Sequence, residues 1–399
     1  MSNKLLFTWN IKNTQELEDF TLKYNINNTQ LCSHNNNFYK LLTYNKYFIK
    51  NDHDNINRFY KSVIVDKNGK ILSVFLPKSI EYKNLSKVVN IIPNDFYLEE
   101  FVPGININLF YDDNIQKWNL HSRYNISCKI KIKKCNISLT IRELFYDICK
   151  KIKFDFNKLD KKYTYSFIIQ DPYISNYYEF TEIKLYLINI FEIKTTGNKQ
   201  VIENIDTINI RNETKIKLPC DKLHFPNIII DNIKNNIDKL NELIYDLNHD
   251  LTKTDSYGYI LKSYSFPSFS KFINPYYKQK YEIYDINKKM IYFYLTLRYT
   301  GKTYYYLKLF PEKRNLFSKI RYNIHELTYR LLDHYRNIYI RFQYNIDDIN
   351  NPKYKYYIKQ IHKNYLSYLL PNNKYVDKYY MQNYINSLNP LEQYYLLVE

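Results

Sequence analysis

YLEEFVPGININLFYDDNIQKWNLHSRYNIS, residues 97–127, is the stretch on which the fold turns. Leu98, Glu99, Glu100, Phe101 and Val102 read as a strand running into Pro103-Gly104. Beyond the glycine, Ile105, Ile107, Leu109 and Tyr111 alternate with Asn106, Asn108 and Phe110, the period of two of a strand. Asp112-Asp113-Asn114 supplies turn chemistry, and Trp118, Leu120 and Ser122 alternate on the return. The chain has only 5 glycines, where a usual share of about 7% would give several times as many. Each one is therefore a candidate for a backbone position that a side chain would block, Gly104 among them.

Working upstream, residues 57–80 read NRFYKSVIVDKNGKILSVFLPKSI, two apolar runs around Asn68-Gly69, a hairpin signal. Residues 1–56 read as a lead-in, with a short helix opening at Thr14 and asparagine-rich turns near 34–37 and 51–57. Downstream, Ser138 is expected to cap a helix over 139–152, whose Leu144, Phe145, Ile148, Cys149 and Ile152 form one apolar face. Residues 163–170 and 185–193 read as strands, 197–230 as irregular, and 231–249 as an amphipathic helix. From Tyr281 the pattern predicts a strand pair over 292–309 broken at Gly301-Lys302. A long helix from Pro311 and another over 354–370 should follow. The expected division is 1–56, 57–280 and a mostly helical 281–399.

Composition narrows the function classes. A formal net charge of +18 favours polyanionic partners such as nucleic acid or a phosphate-rich surface. A genome rich in A and T would also inflate lysine, asparagine, isoleucine and tyrosine. The five cysteines form no Cys-x-x-Cys pair, and no signal peptide stands at Met1, so free thiols in a reducing, intracellular setting are expected. The eight histidines show no metal-ligand spacing, and no metal site is expected. No apolar run is long enough to cross a membrane.

The order of these motifs resembles the adenylation core of phage-type RNA ligases, covalent nucleotidyltransferases, and more closely a group of giant-virus proteins related to them. The resemblance implies an α+β fold, an antiparallel-sheet nucleotidyltransferase domain followed by a helical C-terminal domain. It also implies host cytoplasm or viral factory as the location, and viral proteins as possible partners. In such ligases a strand ends in Lys-x-Asp-Gly. Here Gly104 matches the glycine, Phe101 stands at the lysine and Pro103 at the aspartate. Ile168 stands where a ribose-binding glutamate is implied, Tyr257 where Asp255-Ser-Tyr-Gly258 resembles a Glu-Gly strand, and Ile273 at the second lysine of the last motif, whose first lysine is Lys271. Pro77-Lys78-Ser79 resembles a further conserved segment, with Arg58 and Lys61 near the element before it.

A phenylalanine ring has no lone pair with which to attack the α-phosphate of ATP. Three readings follow. The first is a catalytically silent protein that binds RNA or nucleotide along the old cleft through Arg58, Lys61, Lys78, Phe101, Gly104, Arg123, Gly258 and Lys271. The second is an active ligase, using ATP and Mg²⁺, with Lys78 or Lys271 as a displaced nucleophile. The third is a virion or assembly protein that keeps only the scaffold. Phe59, Tyr60, Trp118 and Tyr124 are candidates to stack on bases, and Arg321, Arg330, Arg336 and Arg341 for a second phosphate-tracking face. His121 reads as a hairpin residue and not as a general base.

Overall fold

The computed structural model describes residues 4–32, 38–45, 47, 56–82, 96–134, 137–174, 178–212, 217–249, 256–264, 269–283 and 289–398. The expected turn at 34–37, most of that at 51–57, Cys135 and Asp255 lie outside the described residues. The chain forms two compact units, 1–279 and 280–399.

The first unit contains sixteen described strands: β1 (Lys4–Trp9), β2 (Ile26–Cys32), β3 (Phe38–Tyr44), β4 (Val63–Val65), β5 (Ile71–Val74), β6 (Phe96–Glu100), β7 (Ile105–Asp112), β8 (Lys117–Ser122), β9 (Lys131–Lys134), β10 (Ile137–Thr140), β11 (Tyr163–Gln170), β12 (Lys184–Thr196), β13 (Lys199–Asp206), β14 (Ile228–Ile230), β15 (Gly258–Ser263) and β16 (Phe269–Ile273). They build a six-stranded sheet β1-β13-β12-β11-β7-β8, a four-stranded sheet β2-β3-β4-β5, a four-stranded sheet β14-β6-β15-β16 and the hairpin β9-β10. Every pairing between these strands is antiparallel. With the helices of the second unit, the chain is α+β.

Strand β7 is covered on both sides, so its alternation separates two interiors instead of inside from outside. Ile107 and Leu109 face an apolar core shared with Leu144, Phe145 and Ile148 of helix Ile141–Lys151. On the other side Asn108 reaches the β5 backbone, its Nδ2 donating to the Val74 carbonyl at 2.6 Å. Phe110 packs there with Ile64 and Leu72. The sheet β14-β6-β15-β16 is likewise two-faced. Phe96, Leu98 and Leu261 pack with Leu240 of helix Ile237–His249. The register sets Glu99 opposite Ile260, and Ile260 opposite Lys271, so these three project from the other face.

Three expectations are corrected. Helix Ile141–Lys151 begins three residues after Ser138, because 137–140 pairs as β10 and Thr140 is the cap. Thr140 Oγ1 accepts from Glu143 N at 3.1 Å while the Glu143 carboxylate accepts from Thr140 N at 2.6 Å, a complete capping box. The segment 197–230 contains strand β13 and helix Thr207–Asn212. Gly197-Asn198 is a two-residue hairpin loop, with Thr196 paired to Lys199 and Gly197 at φ +58°.

The second unit is helical throughout its described elements, and the strand pair expected over 292–309 is two helices, Met290–Tyr299 and Thr303–Leu309. The aromatic run has strand propensity. It nonetheless buries Phe293, Leu297, Tyr306 and Leu309 at helical spacing, and packing overrides propensity. Gly301, at φ +70°, ends the first helix: its N–H donates to the Arg298 carbonyl at 3.2 Å. Helix Arg314–Tyr339 buries Phe317, Ile320, Ile324, Leu327 and Leu331. No described helix is long and apolar enough to cross a membrane.

Candidate nucleic-acid interface

Two glycines hold the backbone together at the edge of the site. A Cβ on Gly104 would stand 2.4 Å from the Ile169 carbonyl oxygen, and one on Gly258 would stand 2.1 Å from that of Phe272. Their φ values, +146° and +137°, add strain for any side chain. Both serve close approach of strands, β7 to β11 and β15 to β16. The Phe101 N–H donates to the Gly258 carbonyl at 2.9 Å, which ties the end of β6 to the start of β15.

This tie fixes Phe101 on the face that also carries Glu99 and Lys271. The Lys271 ammonium lies 5.3 Å from the Phe101 ring centre and 5.7 Å from that of Phe269. Beside them Lys262 and Glu99 form a buried ion pair at 2.5 Å. Lys61 and Arg123 come close enough to repel. Burial first, then the charges of Lys271 and Arg123, push the Lys61 ammonium well below the usual lysine range. Burial again leads at Lys271, with Lys262 and Arg123 adding repulsion, and its pKa falls to about 8. Among the described residues, Lys61, Arg123 and Lys271 have no carboxylate partner.

Tyr44, at the end of β3, joins the remaining cations to this group. Arg123 Nη2 donates to its hydroxyl at 2.7 Å, with the guanidinium 5.4 Å from its ring centre. The Lys78 ammonium stands 5.9 Å from the same ring. Lys78 N–H in turn donates to the Arg58 carbonyl at 2.9 Å. Arg58 is 2% exposed and lies over Phe59. Three further buried polar atoms belong to this neighbourhood of the chain and have no hydrogen-bond partner among the described residues: Ser62 Oγ, Asn106 Oδ1 and Arg123 Nε.

On the other side of Phe101 the first unit opens a cavity of about 540 Å³, within the range of small-molecule sites. Val102, Pro103, Gln170, Tyr186, Tyr257, Gly258 and Tyr277 line it. Its charged lining residues are Glu100, Glu179, Glu182 and Lys184, an acidic balance unsuited to a triphosphate. Glu182 and Lys184 already pair at 2.8 Å. Ile168 packs with Val102 and Ile188. Among the described residues, no group of three or more His, Cys, Asp or Glu is placed to hold a metal ion.

Of the residues read from sequence, the structure brings Lys61, Phe101, Arg123 and Lys271 into one cluster, with Lys78 and Arg58 at its margin. Gly104 and Gly258 act through the backbone. Tyr44 and the Lys262–Glu99 pair were not singled out, since one tyrosine among 46 carries no signal of its own. The stacking candidates divide. Tyr60 is 1% exposed and cannot meet a base, Trp118 is half-buried, and Tyr124 is 61% exposed beneath Arg123. His121 is buried within its hairpin, as read.

No protein-family model matches the chain, and no curated protein matches it. Among solved structures, a protein from Aquifex aeolicus described as an ATP-dependent DNA ligase is 15% identical, with a TM-score of 0.39 over 74% of this chain and 70% of that one. Two forms of an archaeal ATP-dependent RNA ligase are similar at 10% and 11% identity, with TM-scores of 0.40 and 0.43. They cover 76% and 73% of this chain, and 70% and 68% of theirs. At these scores the chemistry has to be argued from the residues themselves.

Proposed function

We propose that this chain keeps a nucleotidyltransferase-type scaffold without its lysine chemistry and binds RNA by its phosphates in the basic cleft. The observation that carries the reading is the gathering of Lys61, Arg123 and Lys271 with no carboxylate partner among the described residues. Like charges held together at a desolvated place are costly unless an anion completes the site. Phe101 contributes a ring where a ligase would present an amine, and the Lys271 ammonium lies against it.

The test is RNA binding against salt concentration, for the wild type and for Lys61→Met and Lys271→Met. Each loss of a phosphate contact is expected to weaken binding at all sequences and to reduce the slope of log K against log salt by about 1. A double variant that binds as the wild type does at every salt concentration overturns the reading.

The lowered pKa of Lys271 favours a second reading, that of an active ligase. At about 8, a useful fraction of the amine is neutral near pH 7.5, the form a nucleophile needs. Incubation with α-labelled ATP and Mg²⁺ or Mn²⁺, followed by a denaturing gel, separates the two. No retained label is the outcome expected of the binding protein. Label that Lys271→Met abolishes would replace it with the enzyme.

A further inference from the structure

Helix Arg314–Tyr339 has a second face that its packing does not use. Phe317, Ile320, Ile324, Leu327 and Leu331 take one side into the core of the second unit. On the other side Tyr322, His325, Tyr329 and Arg336 follow at intervals of three, four and seven, the spacing that keeps residues on one helix face. Arg321 flanks the row. Tyr322 is 63% and Tyr329 47% exposed, a large apolar area left in water. Lys378, from the neighbouring helix Lys378–Ser387, sets its ammonium 4.7 Å from the Tyr329 ring centre and donates to the Tyr329 hydroxyl.

Positive charge is in excess on this surface, although Glu326 and Asp333 stand three and four residues from its tyrosines and so share their face. Helix Arg314–Tyr339 carries five Lys or Arg against two acids, Glu326 and Asp333. Asp333 is engaged by Arg341 at 3.6 Å and by Asn337 Nδ2 at 3.0 Å. Asp377, the nearest acid to Lys378 in the chain, caps its own helix by accepting from Tyr380 N at 2.7 Å. Exposed rings spaced along a cationic row fit a partner with flat π-faces and a repeating negative charge.

We infer that this stripe is a binding surface for a single-stranded polynucleotide, with bases stacking on Tyr322 and Tyr329 and phosphates meeting Arg321, Arg336 and Lys378. The two tyrosines stand seven residues apart, about 10 Å along the axis. A duplex keeps its bases stacked on one another and offers the rings nothing, so the surface discriminates single strand from duplex. None of the cleft residues belongs to this stripe.

The experiment uses the full chain and a labelled oligouridylate of about 12 nucleotides, within the site sizes of single-strand binding proteins, beside a duplex RNA of the same length. The chain carrying Tyr322→Ala and Tyr329→Ala is expected to bind the single strand about 5- to 100-fold more weakly, with duplex binding unchanged. Tyr322→Phe with Tyr329→Phe keeps the rings and should restore most of the affinity. Tyr304→Ala, at another exposed tyrosine, should change nothing. The same loss is expected in a chain already carrying Lys61→Met and Lys271→Met, which separates this surface from the cleft. Circular dichroism establishes that each variant is folded. Unchanged affinity of the folded alanine variant overturns the inference, as does an equal loss for single strand and duplex, or an equal loss in the phenylalanine and alanine variants.

Discussion

Two buried polar regions lie within the first unit, and they are built on opposite terms. Between β5, β7, β8 and β11, Ser73, Asn108, His121 and Ser166 complete one another. The Ser73 hydroxyl meets His121 Nε2 at 2.6 Å, and His121 Nδ1 lies 3.3 Å from the Ser122 carbonyl. An Nδ1–H tautomer, assigned from these contacts, donates to that carbonyl and accepts from Ser73. Ser166 Oγ donates to Asn108 Oδ1 at 2.7 Å, and Asn108 Nδ2 donates to the Val74 carbonyl. Burial holds the His121 pKa near 3, so the ring is neutral and its environment asks for no counterion. In the basic cleft the reverse holds: among the described residues Lys61, Arg123 and Lys271 crowd together without a carboxylate partner, beside Lys262 with its acid, Glu99. A protein interior accepts polar groups that complete one another. Cations that do not complete one another need something from outside.

The Lys262–Glu99 pair is the border between the two regimes, and removing it gives the largest effect. Both partners are buried, at 4% and 1% exposure. Glu99→Ala leaves a desolvated ammonium beside Lys271, at a cost of about 3–5 kcal/mol. Urea unfolding should show it as a fall in midpoint. A cost below about 1 kcal/mol would mean the pair behaves as an exposed one and that the cleft is wetter than its packing implies.

The satisfied network offers the next contrast. Asn108→Ala removes one side chain and strands two partners, the Val74 carbonyl and the Ser166 hydroxyl. Each orphaned buried group costs about 1–3 kcal/mol, so a loss of about 2–6 kcal/mol in the same unfolding experiment is expected, with RNA affinity unchanged in the folded fraction. Lost affinity without lost stability would erase the distinction between the two regions.

How far the sequence foretold this architecture depends on which forces decide each element. The hairpins at Asn68-Gly69 and around 112–117 were legible because their turns and their alternation are local. Strand β13 was not, because KQVIENID has no apolar run and is held by pairing with its hairpin neighbour β12 and with β1, a strand distant in sequence. The aromatic run at 290–309 misled because propensity and packing conflict there, and Gly301 serves equally as a hairpin turn or as a helix end. At the site, Lys61, Phe101, Arg123 and Lys271 were readable as a set only through motif order. That Asn108 faces a polar interior, or that Glu99 is tied to Lys262, is decided by registers no single strand encodes.

The smallest expected effect is the most specific to the cleft, and it follows from Lys271. Its folded pKa, about 8, lies below the ordinary lysine value of 10.5. Below both values the group is protonated folded and unfolded, and the native state bears the cost of a desolvated charge. Between about 8 and 10.5 the native chain has released a proton that the unfolded chain still holds, so stability rises with pH across that window. Affinity for a polyanion moves the other way, because the same proton carries the charge that meets a phosphate. Raising the pH from 7 to 9 should therefore weaken RNA binding several-fold, on the scale of one phosphate contact, while thermal stability holds or climbs. In Lys271→Met both trends should flatten. If the variant keeps the wild-type pH dependence of binding, Lys271 is not among the cations that meet RNA, and the cleft's charge must be serving the fold alone.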